Sequence, residues 1–312
     1  MATTTTINSS YTGEFAGKYI AAALLSANTI DKGGIEVMPN IKFKSTMKTV
    51  STDANVIKNA SCDFDPTATV TLNERVIQPE EFQVNLQFCK KDFRSDWEAQ
   101  QMGISAYDNL PPKFSDFIIG HVAGLVAEQT EKNIWSGVNA NVGEFDGLWT
   151  LATAAGSGAI DAGNGAVTAA NVIEKLGLIV DALPSALYNK EDLHIYVSQN
   201  IARAYVRALG GFATNIGAAG TDAKGTQWYN AGGQLSFDGV KLFVANGLAD
   251  NTALAAQKSN LFFGTGLLND MNEVKVIDMA DLDGSQNVRV VMRYTSTVNF
   301  GIAGDIVHYG QA

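Results

Sequence analysis

Alternating apolar and polar residues predict β-strands in the first third of the chain. The two-residue period of a strand with one buried face runs over 68–77 and again over 81–89. A rougher alternation over 35–50 precedes a segment rich in Asn, Asp, Ser and Thr, which favours a loop. Together, 31–80 predict a long polar β-hairpin with too few apolar side chains for a core of its own. Because an isolated hairpin is marginally stable in water, we expect it to lie against another surface.

Helical periodicity replaces this alternation further along the chain. Apolar residues recur at intervals of three and four over 112–136, which predicts a helix about 37 Å long at 1.5 Å per residue. Gly120 and Gly124 lie one turn apart and leave room for another backbone to approach. The predicted buried face consists of Phe114, Phe117, Ile118, His121, Val122, Leu125 and Val126. The predicted surface side carries Asp116, Glu128, Glu131 and Lys132.

A second unit with mixed periodicity begins near residue 168. Amphipathic helices are predicted over 172–183 and 198–209, with a buried strand at 193–197 between them. Short strands are predicted to follow at 239–245, 260–263, 273–279, 287–296 and 298–309. Helices and strands in this order predict a protein of the α+β class.

The charge of the chain limits its possible functions more than its length does. The 312 residues are enough for about two domains and a large core. Only 17% of the residues are charged, which suggests that much of the surface is covered by something other than water. The net charge of −10 argues against a protein that reads DNA sequence, because such proteins are usually basic. Residues 1–60 nevertheless carry a balance of +2, so this segment either lies on the acidic body of a neighbouring copy or has no special role.

The N-terminal residues show no targeting signal. MATTTTINSSYTGEFAGKYI lacks the basic and then apolar order of a signal peptide. No apolar run along the chain approaches the 18 residues that a membrane span requires. The opening Thr tract has no apolar period and is not expected to fold alone. A polar arm of this kind needs a partner chain to hold it.

Nucleotide-binding and hydrolase motifs are missing from the sequence. Gly156-x-Gly158, Gly163-x-Gly165 and Gly264-x-Gly266 each lack the third glycine of a dinucleotide fingerprint, so turn glycines are the better interpretation. The P-loop spacing over 220–225 has Thr226 where the lysine belongs. Neither a G-x-S-x-G elbow nor an H-E-x-x-H zinc motif occurs.

Metal and thiol chemistry is equally sparse. Three histidines and two cysteines offer little material for a metal site or a catalytic triad, and His121 is more typical of a packed side chain. The three aspartates of 278–284 either gather round a cation or belong to a solvated turn, and they lack the length of a calcium loop. Cys62 and Cys89 are expected to stay reduced without a secretion signal. The sequence therefore predicts no enzyme, no cofactor and no bound metal.

Several stretches together resemble one known family. Residues 75–98, RVIQPEEFQVNLQFCKKDFRSDWE, resemble the end of that family's extended loop. Residues 111–137, PPKFSDFIIGHVAGLVAEQTEKNIWSG, resemble its long spine helix. The turn after that helix is similar to GEFDGLW (143–149). The helices and strands of an axial domain and the strands that return from it are similar to 171–209, 237–248, 260–270 and 288–310. The family is that of the major capsid proteins of tailed bacteriophages, with the Hong Kong 97-type (HK97-like) fold.

The resemblance implies an α+β chain with four parts. An N-terminal arm (1–30) leads into the extended loop, a β-hairpin over 31–80. The peripheral domain consists of 81–167 together with 285–312, and it contains the spine helix at 112–136. The axial domain spans 168–284.

The resemblance also implies a function. A protein of this family self-assembles, as hexamers and pentamers, into an icosahedral head shell around a double-stranded DNA genome that it contacts without sequence specificity. Because the arm is short where many relatives carry a long cleaved segment, a separate scaffolding protein is expected, with a portal and minor decoration proteins as further partners. The expected location is the virion head, after assembly in the bacterial cytoplasm and without membrane contact.

Lysines of the hairpin and the spine helix are the candidate contacts between subunits. They are Lys42, Lys44, Lys48, Lys58 and Lys132. Lys42, Lys44 and Lys48 share one parity and would line one face of a strand. Some relatives cross-link a loop lysine to an asparagine of the neighbour. No such asparagine is identifiable in this sequence, so we expect no covalent cross-link.

Three alternatives stay open at this point. An encapsulin-type nanocompartment shell protein resembles the same fold but encloses an enzyme cargo instead of DNA. An extracellular structural or adhesive β-rich protein is the second alternative, and the missing signal peptide counts against it. An enzyme with an unrecognised site is the third.

Overall fold

The computed structural model describes residues 28–52, 56–60, 62, 66–89, 112–188, 190–209, 235–266 and 274–310. Most of the predicted N-terminal arm therefore lies outside the described residues, as do the side chains of 112–118 and of His121. The α+β class predicted from the sequence is confirmed.

Helices and short strands alternate along the described residues. The first four strands are β1 (Glu36–Met38), β2 (Ser45–Thr52), β3 (Val70–Ile77) and β4 (Glu80–Cys89). The helices are α1 (Asn28–Asp31), α2 (Pro112–Ser136), α3 (Leu148–Thr153), α4 (Val172–Asp181), α5 (Gln199–Leu209) and α6 (Ala280–Asp283). The later strands are β5 (Ile160–Asp161), β6 (Leu193–Val197), β7 (Ser236–Phe237), β8 (Val240–Val244), β9 (Ala253–Gln257), β10 (Leu261–Thr265), β11 (Val274–Asp278), β12 (Asn287–Phe300) and β13 (Val307–Tyr309).

A five-stranded sheet is organised around β12. This strand pairs antiparallel with β4, β10 and β11, and β10 pairs parallel with β1. Its alternate side chains fill the core, and they include Val288, Val290, Met292, Val298 and Phe300. The sequence predicts two strands here, 287–296 and 298–309, but one strand of 14 residues runs to Phe300. The prediction is wrong because no glycine or proline interrupts the ladder near Thr297, which pairs with Gly264.

The second sheet has six strands. Its strand order is β5-β13-β9-β6-β8-β7. The predicted strand at 193–197 is confirmed as β6, which pairs parallel with β8 and antiparallel with β9. The apolar faces of α4 and α5 pack in the same core as β6. A central strand with both neighbours paired and helices against it is largely buried, and Leu193, Ile195, Tyr196 and Val197 are all buried here.

The two sheets group the strands differently from the predicted domain boundaries. β10 and β11 fall within 168–284, yet both pair with β12 in the five-stranded sheet. β13 falls within 285–312, yet it pairs with β5 and β9 in the six-stranded sheet. The chain therefore crosses between the sheets more often than a pattern along the sequence reveals.

The helix α2, here called the spine helix, begins and ends at the predicted residues. Its buried apolar side chains include Ile119, Val122, Val126, Ile134 and Trp135. Leu125 was expected in the buried face and is 53% exposed, whereas Glu131 was expected at the surface and is 5% exposed. Both predictions are wrong. Glu131 is buried because α1 and the segment after β8 cover the C-terminal half of the helix on a second side.

Buried polar contacts hold α1 against the spine helix. The Glu131 carboxylate accepts hydrogen bonds from the Thr29 amide at 3.0 Å and from the Thr29 hydroxyl at 2.5 Å. The Trp135 indole N–H donates to the same hydroxyl at 2.7 Å. On the other side, the Ser136 hydroxyl donates to the carbonyl oxygen of Gly247 at 2.8 Å. A buried carboxylate is tolerated here because both of its oxygens receive donors.

Candidate assembly surfaces

The predicted hairpin forms from β2 and β3 and is anchored at its base. The strands pair antiparallel from Ser45 opposite Ile77 to Thr52 opposite Val70. A small separate core forms at the base from Ile41, Met47 and Ile77, with Met38 and Phe262 packed against it. The Arg75 guanidinium lies 3.7 Å from the centre of the Phe300 ring, and this burial lowers the pKa of Arg75. The base of the hairpin is therefore fixed to the five-stranded sheet.

The other face of the hairpin is exposed and carries apolar side chains on both sides of the Lys48–Glu74 ion pair. Val50 and Leu72 lie opposite each other in the register and are 66% and 67% exposed. Val70 and Val76 are exposed on the same face, because directly opposite and alternate residues share a face of an antiparallel pair. Ile57, in the connection between the strands, is also exposed. Val50, Val70 and Leu72 are neighbours on this face, and a group of exposed apolar side chains of this kind marks an interaction surface. We call Val50, Val70, Leu72 and Val76 the hairpin face.

The structure divides the four candidate lysines of the hairpin region. Lys48 lies in β2 with its ammonium group 3.7 Å from the carboxylate of Glu74, the residue opposite it on β3. Lys42 and Lys44 are exposed in the turn before β2, so the prediction that they line a strand face with Lys48 is wrong. Lys44 lies 5.4 Å from the centre of the exposed Phe43 ring. Lys58 is exposed in the connection between β2 and β3.

The fifth candidate, Lys132, lies apart from the hairpin. It is exposed on the spine helix and lines a groove of about 370 Å³ together with Asn28, Gly124, Glu128 and Asn246. Gly124 has open space where a Cβ would stand. The structure thus brings three of the five lysines to the first strand of the hairpin and the turn before it, places Lys58 beyond that strand, and leaves Lys132 on a different element.

The aspartate turn of 278–284 has a structural explanation. The Asp278 carboxylate accepts from the amide of Ala280 at 3.0 Å, and the Asp283 carboxylate accepts from the amide of Ser285 at 2.9 Å. Gly284 adopts a φ of 70°, which closes α6. Within the described residues, no group of three or more potential metal ligands gathers. These carboxylates stabilise local turns by accepting backbone hydrogen bonds.

A serine, a histidine and an aspartate meet at the start of β6 without forming a triad. The Ser259 hydroxyl donates to the Asp192 carboxylate at 2.6 Å, and Gln257 donates to its other oxygen at 3.0 Å. These donors lower the pKa of Asp192. The His194 ring contacts the backbone carbonyl of Asp192 rather than the serine, and burial lowers its pKa. Because nucleophile and base are not joined by a hydrogen bond, the arrangement is a packed polar cluster.

Comparison with known proteins identifies solved structures with a similar arrangement of helices and strands. No protein-family model and no curated protein matches the sequence. The capsid of a native GTA particle matches the structure with a TM-score of 0.59 and 14% identity, over 92% of this chain and 96% of that one. The capsid of Myoviridae phage XM1 matches with a TM-score of 0.58 and 13% identity, over 91% and 92% of the two chains. The chain has the HK97-like fold. The fold class expected from the resemblance is thereby confirmed.

A further solved structure matches with a lower TM-score. A virus-like particle from Pyrococcus furiosus matches with a TM-score of 0.51 and 9% identity, over 95% of this chain and 98% of that one. Within the described residues, the HK97-like chain has no helix that is both long and apolar enough to cross a membrane. At identities of 13%, 14% and 9%, these structures agree with this chain in the arrangement of helices and strands rather than in their side chains.

Proposed function

We propose that this protein is the major capsid protein of a tailed bacteriophage, which self-assembles into the icosahedral head shell around a double-stranded DNA genome. The observation that supports it most is the hairpin face on an HK97-like fold. Its four apolar side chains are exposed, and the hairpin that carries them extends from a base fixed to the five-stranded sheet. A subunit built to cover a neighbour needs such a surface, whereas a free monomer in water gains nothing from it.

The proposed partners follow from the same role. Copies of the chain would form hexamers and pentamers, with the hairpin face against the adjacent copy. A separate scaffolding protein and a portal would guide assembly, minor decoration proteins would bind outside, and packaged DNA would be contacted without sequence specificity. The virion head is then the site of the mature protein, after assembly in the host cytoplasm. The role is structural and requires no catalysis.

The proposed division of labour follows the two sheets. The spine helix and the five-stranded sheet would form the peripheral domain, and the six-stranded sheet with α4 and α5 the axial domain. Lys42, Lys44, Lys48, Lys58 and Lys132 remain proposed contacts between subunits, without a covalent cross-link. All five are exposed, as such contacts require in an isolated subunit.

An encapsulin-type shell is the second candidate, and the match to the particle from Pyrococcus furiosus is the observation that favours it. The two candidates differ in what the shell encloses. Nuclease-protected DNA in purified particles supports the phage capsid, and an enclosed enzyme supports the nanocompartment. An extracellular adhesive protein would form neither kind of closed shell.

Electron microscopy of a hairpin variant tests the proposed function. Thr49 and Asn73 lie opposite each other, so replacing 50–72 by Asn-Gly closes the ladder with a two-residue turn and removes most of the hairpin face. Met47 and Ile77 stay in place, so the variant keeps the core at the base. We expect closed shells from the unchanged protein and folded but unassembled subunits from the variant. Normal shells from the variant would overturn the role of the hairpin, and no shells from the unchanged protein with its scaffold would overturn the function.

A further inference from the structure

An asparagine followed by a glycine occurs at two places in the chain, Asn164–Gly165 and Asn246–Gly247. In this dipeptide the asparagine side chain is open to attack by the backbone, because glycine has no Cβ to hinder the approach of its amide nitrogen. Both asparagines are exposed, so exposure of the side chain does not distinguish them. The glycines differ, since Gly165 is exposed and Gly247 is buried.

Asn164 lies in an open loop between β5 and α4. Residues 163–166 are all exposed and belong to no helix or strand. Gly165 adopts a φ of 136°, and the atom nearest to a Cβ built there is the Tyr309 hydroxyl at 3.6 Å, an ordinary contact. Within the part of the chain that the structure describes, neither the Asn164 side chain nor the Gly165 amide N–H takes part in a hydrogen bond. Both groups are therefore free to approach each other.

The backbone beside Asn246 is held by its surroundings instead. The side-chain oxygen of Asn246 accepts a hydrogen bond from Gln199 at 2.9 Å. Gly247 packs directly against the backbone of the spine helix, and its carbonyl oxygen accepts from the Ser136 hydroxyl at 2.8 Å. To reach the side-chain carbonyl carbon of Asn246, the Gly247 amide nitrogen would have to swing out of this contact by rotation of the backbone. A close-packed interior resists that movement.

We propose that Asn164 is a site of spontaneous deamidation and that the fold protects Asn246 from the same reaction. The Gly165 amide nitrogen loses its proton to hydroxide and attacks the side-chain carbonyl carbon of Asn164. The new C–N bond closes a succinimide ring, the bond to the side-chain nitrogen breaks, and ammonia leaves. Water then opens the ring at either carbonyl, which gives aspartate or isoaspartate. The reaction consumes only water and needs no oxidant or cofactor.

The modification changes both charge and backbone at one place. Each reacted copy gains one negative charge on a chain that already carries −10. The isoaspartate product also adds a methylene to the backbone between Gly163 and Gly165. The carbonyl oxygens of these two residues accept hydrogen bonds from the Gly310 amide at 2.9 Å and the Tyr309 hydroxyl at 3.3 Å. The reaction therefore alters the contact between this loop and the end of β13. It concerns the folded subunit alone and does not depend on shell assembly.

Peptide mapping by mass spectrometry tests the proposal on the full chain. One sample of the unchanged protein is kept folded at mildly alkaline pH, and a second is kept unfolded in guanidinium chloride at the same pH. Each is digested at mildly acidic pH, which slows further conversion, and the converted fractions of Asn164 and Asn246 are followed with time. Asn164→Gln is the matched variant, because the longer side chain would have to close a larger ring.

The expected result is a difference between the two sites that exists only in the folded protein. There we expect Asn246 to convert at least about tenfold more slowly than Asn164, the protection that a local opening free energy of about 1.4 kcal/mol provides. In guanidinium chloride the two sites convert at similar rates, because the protection comes from the fold.

Isoelectric focusing of the folded protein gives a second readout. The unchanged protein accumulates acidic species with time, and Asn164→Gln accumulates far fewer. Similar conversion rates of the two asparagines in the folded protein, or no conversion of Asn164 there, would overturn the proposal. An undiminished series of acidic species in Asn164→Gln would also overturn it.

Discussion

Gly247 shows how one residue decides the contact between the segment after β8 and the spine helix. A Cβ at this position would stand 2.1 Å from the carbonyl oxygen of Glu131 and 2.9 Å from the Trp135 ring. Backbone atoms cannot move aside as a flexible side chain does, so close approach here requires glycine. Periodicity gives no hint of this, because Gly247 lies in a loop whose partner is more than one hundred residues away.

Replacing Gly247 by Ala is expected to destabilise the protein by about 1–3 kcal/mol, as overpacking does in close-packed interiors. Gly177 provides the matched control, since it lies within α4 and nothing stands within 4 Å of a Cβ there. Gly177→Ala is expected to stabilise the protein by about 0.5–1 kcal/mol, because alanine loses less backbone freedom in a helix. Urea unfolding of both variants measures the difference. Equal changes for the two would contradict the close approach at Gly247.

The spine helix shows how far sequence reasoning reaches for a single element. Its ends were predicted to the residue, because Pro112 begins it and the Gly137 after it ends the apolar period. Its buried face was predicted in part, with Val122 and Val126 confirmed. Glu131 was missed because a carboxylate is normally a surface group, and only the donors on Thr29 explain its burial.

Exchanging the charges of Lys48 and Glu74 tests whether Lys48 contacts a neighbouring subunit. Its ion pair with Glu74 is exposed on both sides, and such pairs contribute about 0–1 kcal/mol to stability. The double variant Lys48→Glu with Glu74→Lys keeps an opposite-charge pair within the subunit but reverses the charges offered to a neighbour. We expect an unfolding midpoint close to that of the unchanged protein and impaired shell assembly.

Lys48→Ala with Glu74→Ala completes the comparison for the hairpin. It removes both charges and is expected to assemble better than the exchanged pair, because it introduces no like-charge contact. Assembly is followed by light scattering and electron microscopy. Normal shells from the exchanged pair would show that Lys48 acts within its own subunit.

At the scale of the whole molecule, two half-buried histidines are expected to make stability depend on pH. Burial lowers the pKa of both His194 and His308, and the carboxylate of Asp161, 3.8 Å from the His308 ring, opposes the effect only in part. Below the ordinary histidine pKa of about 6.5, the unfolded chain binds protons that the folded chain resists. The free energy of unfolding is therefore at its full value, as far as these two histidines are concerned, above about pH 6.5. It decreases as the pH falls from there through their lower, folded-state pKa.

Unfolding midpoints measured between pH 7.5 and pH 5 check this dependence. His308→Gln removes one of the two groups and is expected to give a shallower decline. The lowered pKa values of Asp192 and Glu144 affect stability at more acidic pH, because their ordinary values are 3.8 and 4.5. An unchanged decline in His308→Gln would contradict the assignment to that residue.

The sequence by itself determined the α+β class, the ends of the spine helix, the hairpin and the central strand β6. It did so because these features depend on residues close together in the chain, where apolar period and helix or turn signals act directly. It also showed the absence of familiar catalytic motifs, and the order of its elements already resembled an HK97-like fold.

Tertiary structure alone decided which strands share a sheet, why Glu131 is buried and which face of the hairpin is left exposed. β10 and β11 pair with β12 in the five-stranded sheet and β13 pairs with β9 in the six-stranded sheet, and in each case the pairing joins segments that a local pattern does not connect. Such contacts follow from the packing of whole elements, and a local pattern carries no record of them.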